Sequence, residues 1–212
     1  MSKKYKVREI YYTLQGEGFH TSRPAIFCRF VGCNLWSGKE KDRPTAACRF
    51  CDTNFLGIDG PNGGVYTGSE LVQKIQSLWT LSQSPFVVFT GGEPLLQLDS
   101  ALIKACKKAG FFVAVETNGT KPLPDGIDWV CVSPKPRSTI VVNKASELKL
   151  VFPQLEPEMH PVHFEHFEAD HHYLQPLDNE HLQENTELAS EFCREYPQWK
   201  LSLQTHKFLQ LP

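Results

Sequence analysis

The sequence predicts an α/β protein built on a mainly parallel sheet, closer to an incomplete (β/α) barrel than to a closed one. Strand-like and helix-like runs alternate from about residue 69 onward. Polar segments rich in Gly, Pro and Asn follow the strands, where α/β proteins gather their chemistry. The 212 residues fall short of the roughly 250 that eight strand–helix units take, and a long irregular loop consumes part of them.

Element by element, Tyr5 to Tyr12 reads as a strand, and a polar Thr13 to Gly18 loop leads to the apolar run Ala25 to Val31, a buried strand. Residues 32–66 carry Gly, Pro, Asn, Asp and three cysteines without a periodic pattern, so they read as one long functional loop. Ser69 is placed to cap a helix with Leu71, Val72, Ile75 and Leu78 on one face, followed by the strand Phe86 to Phe89. A second helix, about Asp99 to Ala109, turns Leu102, Ile103 and Cys106 inward, stops at Gly110 and feeds the strand Phe111 to Val115. Later strands fit Trp129 to Val132, Leu148 to Phe152, Tyr173 to Gln175 and Trp199 to Leu203, with a helix around Glu184 to Glu195. No linker or repeat interrupts this order, so residues 1–212 read as a single domain.

Composition narrows the function classes. With 41% hydrophobic and 22% charged residues and a formal charge of -2, the chain is ordinary globular material without the basic field that drives phosphate-backbone binding. Direct nucleic-acid binding is therefore not expected. Charge is uneven, with ten Lys/Arg against four Asp/Glu in residues 1–50 and eleven acids against Arg194 alone in 155–195. The first suggests local attraction for an anionic ligand or an acidic redox partner, the second a solvated face. His160, His163, His166, His171 and His172 fall in that acidic stretch and read as part of the solvated segment. No apolar segment follows the basic start, and no apolar run approaches the ~18 residues that span a bilayer, which points to a cytoplasmic protein without membrane contact. In that reducing compartment seven cysteines read as metal ligands or core thiols rather than as a disulfide framework.

Cys33, Cys48 and Cys51 are separated by fourteen and then two residues. A structural zinc site wants four tetrahedral ligands, for which His20 or Cys28 are the nearest supplements, although Cys28 alternates with Ile26 and Phe30 as a core thiol does. A 4Fe-4S cluster held by three thiolates instead keeps one iron open to a small molecule. On spacing alone both readings stand, as a zinc-stabilised binding module or as an enzyme.

The three cysteines followed by Thr90-Gly91-Gly92-Glu93-Pro94 at a strand end resemble the radical S-adenosylmethionine (SAM) superfamily, although the usual first gap there is three residues, not fourteen. The runs Tyr12 to Gly18, Cys28 to Trp36, Cys48 to Thr53 and Gln204 to Lys207 together resemble the 7-carboxy-7-deazaguanine synthases over nearly the whole chain, one branch of which carries an expanded cysteine loop. The resemblance implies an incomplete, modified radical-SAM-type barrel with an extended cluster-binding loop. It also implies a lyase of queuosine and 7-deazapurine synthesis that contracts 6-carboxy-5,6,7,8-tetrahydropterin to 7-carboxy-7-deazaguanine with loss of ammonia. A radical SAM activase of a partner protein is the rival within the superfamily.

The implied cofactors are a 4Fe-4S cluster on Cys33, Cys48 and Cys51, SAM, and Mg2+ at Thr53. By the same resemblance SAM contacts fall on Phe50, Cys51, Asp52, Gly92, Glu93, Ser133, Pro134, Lys135, Gln175, Pro176, Leu177 and Asp178. Substrate contacts fall on Leu14, Gln15, Gly16, Glu17, Arg29, Thr90 and the Pro212 α-carboxylate, and proton handling on Glu116 and His206. Arg29 sits in an apolar run and must find a counter-charge, either the substrate carboxylate or an internal partner such as Glu17 or Glu116. A homodimer and a reduced flavodoxin as electron donor complete the family expectation.

Overall fold

The computed structural model describes residues 3–212. Strands β1 (Lys4–Leu14) and β2 (Pro24–Phe30) pair antiparallel, and β3 (Gly64–Thr67) adds antiparallel to the free side of β1. From β2 onward every pairing is parallel, through β4 (Phe86–Gly91), β5 (Phe112–Thr117), β6 (Trp129–Val132), β7 (Lys144–Phe152), β8 (Glu168–Pro176) and β9 (Trp199–Leu201). The result is one mixed nine-stranded sheet in the order β3-β1-β2-β4-β5-β6-β7-β8-β9.

Helices α1 (Gly68–Leu78), α2 (Ser100–Lys108) and α3 (Leu182–Glu195) occupy three of the crossovers. Strict alternation does not hold between β5 and β8: the connections after β5 and β6 are irregular, and β7 reaches β8 through short 3-10 turns at Pro157–Met159 and Pro161–Phe164. The cap of α1 is Thr67 rather than Ser69, because Glu70 closes a reciprocal box: its N–H donates to Thr67 Oγ1 at 3.3 Å while the Thr67 N–H donates to Glu70 Oε2 at 2.7 Å. The cap of α2 is Asp99, whose Oδ1 accepts from the Leu102 N–H at 2.9 Å. Strand β3 lies inside the stretch expected to be wholly irregular, since four residues are too few for a period-2 pattern.

The two faces of the sheet divide the work. On one, Cys28, Phe30, Val87, Phe89, Val113 and Val115 pack with Leu71, Ile75, Leu102 and Ile103 of α1 and α2. Leu148, Leu150 and Leu174 continue that layer with Ala189 of α3 and Trp199. Each such fully buried side chain contributes roughly 2 kcal/mol, so this layer carries the fold. The register places Arg29 beside Thr90 and runs Glu116, Cys131, Glu147 and His171 side by side on the opposite face. That face is apolar only near the strand starts, at Ala25, Phe86, Val88 and Ala114. Toward the strand ends it is polar, and the site lies there.

His171 and His172 correct the solvated reading of the acidic segment. Both belong to β8, His171 stacked on Phe19 at 4.5 Å between ring centroids and His172 edge-on to Trp199 at 5.1 Å. His160, His163 and His166 are exposed as expected.

Candidate active site

A cavity of about 520 Å³ opens at the C-terminal ends of the parallel strands. Its wall collects the segments that the sequence places at strand ends: Thr90 to Gly92 at the end of β4, Glu116 to Asn118 at the end of β5, Ser133 and Lys135 after β6, Gln175 to Asp178 at the end of β8, and Cys48 with Phe50 to Asn54 from the loop after β2. Leu14 to Glu17, Arg29, His206 and Pro212 complete it.

The cysteine loop has a core of its own. Trp36, Ala46 and Phe55 are buried together, with Cys33 and Cys51 packed against them. Arg43 fastens its arms: the guanidinium donates to the Arg49 carbonyl at 2.7 Å and the Cys51 carbonyl at 3.0 Å, pairs with Glu40 and lies 4.1 Å over the Trp36 ring. The fourteen-residue gap between Cys33 and Cys48 is thus a small folded subunit of the loop. Hydrogen bonding between Cys48 and Cys51 pushes the Cys48 thiol up and lowers Cys51 to about 6, a cysteine already disposed to be a thiolate ligand. Burial pushes Cys33 up.

The loop is stitched to the glycine turn. The Glu93 N–H donates to the Gly32 carbonyl at 2.9 Å. A Cβ on Gly92 would stand 2.4 Å from that same oxygen and 2.6 Å from Cys33 Cβ, so only glycine lets the turn approach the first cysteine this closely. Cys48 and Cys51 border the cavity, whereas Cys33 faces an adjoining recess beside Trp36. Among the described residues no three His, Cys, Asp or Glu side chains converge on a single ion. Thiolates on three corners of a cube stand further apart than the ligands of one ion, and three soft sulfur donors in one loop, two of them at the open cavity, fit a 4Fe-4S group with one iron left for a small ligand.

Glu93 does not border the cavity. It is 0% exposed, and its carboxylate accepts from Thr117 Oγ1 at 2.8 Å, the Asn118 N–H at 2.8 Å and the Leu95 N–H at 2.9 Å. Burial raises its pKa against those donors. The side chain therefore ties the ends of β4 and β5 together beneath the Gly91-Gly92 turn. Pro134 is likewise buried behind the wall, while its neighbours Ser133 and Lys135 border the cavity, the Lys135 ammonium donating to Ser133 Oγ at 2.6 Å.

The substrate-side wall is a set of ion pairs. Arg29 Nε donates to Glu9 Oε1 at 2.8 Å and its Nη2 to Tyr11 Oη at 3.0 Å. Its counter-charge is thus Glu9 on the neighbouring strand, not Glu17 or Glu116, because antiparallel pairing of β1 with β2 sets Glu9 directly opposite Arg29. Lys149 bridges the other two acids, pairing with Glu17 and reaching Glu116 Oε2 at 3.0 Å. Gln15 Nε2 donates to Glu116 Oε1 at 2.9 Å, and Gln204 Nε2 to Glu17 Oε1 at 2.9 Å. Burial alone would raise the Glu17 pKa; the Lys149 charge and the Lys149 and Gln204 hydrogen bonds reverse this and hold it at about 2. Gly16 lies against the His206 ring, and the Thr13 hydroxyl donates to the Pro212 carbonyl at 3.2 Å. Thr53 borders the cavity next to Asp52, 3.4 Å between side-chain oxygens.

At the mouth, the Lys207 ammonium donates to Asp52 at 2.7 Å and pairs with Asp178. Helix α4 (Thr205–Phe208), which carries Lys207, is thereby tied to the loop after Cys51 and to the loop after β8. Glu9, Tyr11 and Lys149 are site residues that sequence reasoning did not single out, and Gln204 was read only as part of a motif, without a role. Lys149 left a signal: a cation between Leu148 and Leu150 in a strand must be buried and paired.

A family model described as the radical SAM superfamily matches residues 43–132. The chain is 52% identical over 210 residues to the 7-carboxy-7-deazaguanine synthase of Bordetella pertussis, covering 98% of this chain and 99% of that protein. It is 53% identical over 207 residues to that of Bradyrhizobium diazoefficiens, covering 97% and 98%. The crystal structure of QueE from Escherichia coli superposes with a TM-score of 0.73 at 25% identity, covering 94% of this chain and 93% of that one. With such identity across almost its full length, and with the cysteine loop joined to the glycine turn at one cavity, the chain belongs to the 7-carboxy-7-deazaguanine synthase family of radical SAM enzymes.

Proposed function

We propose that the protein contracts 6-carboxy-5,6,7,8-tetrahydropterin to 7-carboxy-7-deazaguanine with loss of ammonia, as a carbon–nitrogen lyase of queuosine and 7-deazapurine synthesis. The observation that carries this reading is the meeting, in one cavity, of the cysteine loop, the glycine turn and the ion-paired wall of Arg29, Glu17 and Glu116. The single domain then works as an incomplete radical-SAM-type barrel whose extended cysteine loop closes one side.

In this reading Cys33, Cys48 and Cys51 hold a 4Fe-4S cluster. The cluster and SAM, when bound, supply one-electron cleavage of the sulfonium and the hydrogen abstraction that starts the rearrangement. Gly92 brings backbone to the SAM amino acid, while Phe50, Asp52, Ser133, Lys135 and Gln175 to Asp178 surround its remainder. Glu93 and Pro134 act from behind, by fixing the turns. Arg29, aligned by Glu9 and Tyr11, presents its guanidinium to the substrate carboxylate. Leu14, Gln15, Gly16, Glu17, Thr90 and Pro212 bound the pterin, and Glu116 and His206 handle protons at the nitrogen that leaves. Oxygen-free, iron- and sulfide-reconstituted protein given the pterin, SAM, reductant and Mg2+ should form the deazaguanine acid and ammonia. A brown, SAM-binding protein that forms neither would overturn the proposal.

Thr53 offers a hard oxygen at the cavity edge, suited to a Mg2+ that keeps waters and takes a substrate carboxylate. Thr53→Ala should leave iron and sulfide content unchanged while raising the Mg2+ concentration for half-maximal rate about tenfold, the effect of losing one contact to a charged partner. An unaltered Mg2+ titration would remove Thr53 from the metal site. Family precedent further supports a homodimer, cytoplasmic operation and reduced flavodoxin as donor; among the described residues no helix is long and apolar enough to cross a membrane.

A further inference from the structure

Lys149 is almost wholly buried, its side chain 4% exposed. It stands on the concave face of β7, between Glu17 from the β1–β2 loop and Glu116 at the end of β5, with Glu147 and Cys131 as lower neighbours. Both acids border the cavity and Lys149 reaches each of them. The remaining contacts are amides: Gln15 donates to Glu116, and Gln204 and Gln175 donate to Glu17 Oε1, at 2.9 and 3.2 Å for the last two. Each of these contacts points a donor at a carboxylate, so both acids are held as hydrogen-bond acceptors.

Resting on the reading of the site given above, we propose that Lys149 is a positioning residue: it fixes the Glu17 and Glu116 carboxylates as paired hydrogen-bond acceptors for the N–H groups of the pterin. Glu17 then serves as an acceptor and not as the proton donor for the departing ammonia. The arrangement is economical because one ammonium orients two acids from different parts of the chain, a loop and a strand, and two acids around one ammonium leave a net negative charge facing an N–H-rich ligand. Arg29 and Glu9 neutralise one another and do not alter that balance.

The titratable groups facing this cluster are Glu147 and Cys131 from β7 and β6, Tyr11 from β1 and His206 from α4. Their presence makes pH the informative variable. In the wild type, Glu17 at about 2 lies below the ordinary 4.5; its stabilisation is complete above 4.5 and is lost only as pH falls toward 2. In Lys149→Gln, burial, the largest influence on Glu17, is opposed only by the Gln204 hydrogen bond and the His206 charge, so the pKa should rise above the ordinary 4.5 and the variant should lose stability as pH rises through the new value. The gap in melting temperature between wild type and Lys149→Gln, measured without cluster, should therefore widen from pH 4.5 upward.

The activity of the loaded enzyme gives the second readout. Lys149→Gln should lose roughly a hundredfold in kcat/KM at neutral pH, as for breaking one side of a buried charge pair. It should also acquire an acidic limb, recovering as pH rises, and Lys149→Arg should restore most of the rate without that limb. If Lys149→Gln does not fold, Gln204→Ala removes only one donor to Glu17 and should show a weaker limb of the same sign. A pH-independent melting gap, a rate loss uniform across pH, or Lys149→Arg behaving like Lys149→Gln would each overturn the inference. A wild-type enzyme inactive on the pterin would refute the proposed reaction instead, and the melting experiment would still decide on Lys149.

Discussion

Cys48→Ala should yield a folded, colourless protein that holds no stoichiometric iron or sulfide after anaerobic reconstitution and shows only background turnover. Of the three cysteines Cys48 gives the cleanest test. Cys33 and Cys51 pack on the small core of Trp36, Ala46 and Phe55, so their replacement also disturbs the loop. Cys33→Ala and Cys51→Ala should nevertheless abolish cluster and activity alike, since a cube bound by two thiolates lacks the third anchor. Cys193→Ala, on α3 and remote from the cavity, is the control that keeps both. Iron analysis, visible absorbance and circular dichroism decide the matter: a Cys48→Ala protein with a full complement of iron would remove the cluster from this loop.

Glu93→Ala should cost about 3 kcal/mol or more of folding free energy and abolish SAM binding. The variant strands the Thr117 hydroxyl and the N–H groups of Leu95 and Asn118 in a fully buried place, each at roughly 1–3 kcal/mol. Glu93→Gln should fall between, because its amide can offer one oxygen to Thr117 and Leu95 but turns a donor toward the Asn118 N–H. Denaturation of the cluster-free proteins measures the first effect and SAM calorimetry on the reconstituted ones the second. Wild-type stability in Glu93→Ala would show that the glycine turn stands without its carboxylate prop.

The two predictions also mark what was legible in the sequence and what was not. The outer face of the sheet was legible because its residues obey period two: Ile26, Cys28, Phe30, Val87, Phe89, Val113 and Val115 all read as buried strand and are so. Helices α1 and α2 were legible from Leu71, Val72, Ile75, Leu102 and Ile103. Strands β7 and β8 begin four and five residues earlier than expected, at Lys144 and Glu168. There the inward residues Glu147 and His171 are polar, so the alternation that marks a strand is hidden where the sheet turns toward the site. The cavity segments were legible as strand-end turns, and the structure brings them to one wall. Partners were not: Arg29 meets Glu9, and Glu17 meets Lys149 across 132 residues, pairings set by register and crossover that no local pattern encodes.

Both margins of the sheet are short. The outermost strands, β3 and β9, have four and three residues, so each exposes only a stub of unpaired backbone. Strand addition by another molecule would gain few ladder bonds there, a form of protection against edge-to-edge aggregation. A symmetric pair joined at β3 or β9 would gain little from a continuous intermolecular sheet and more from side-chain surfaces.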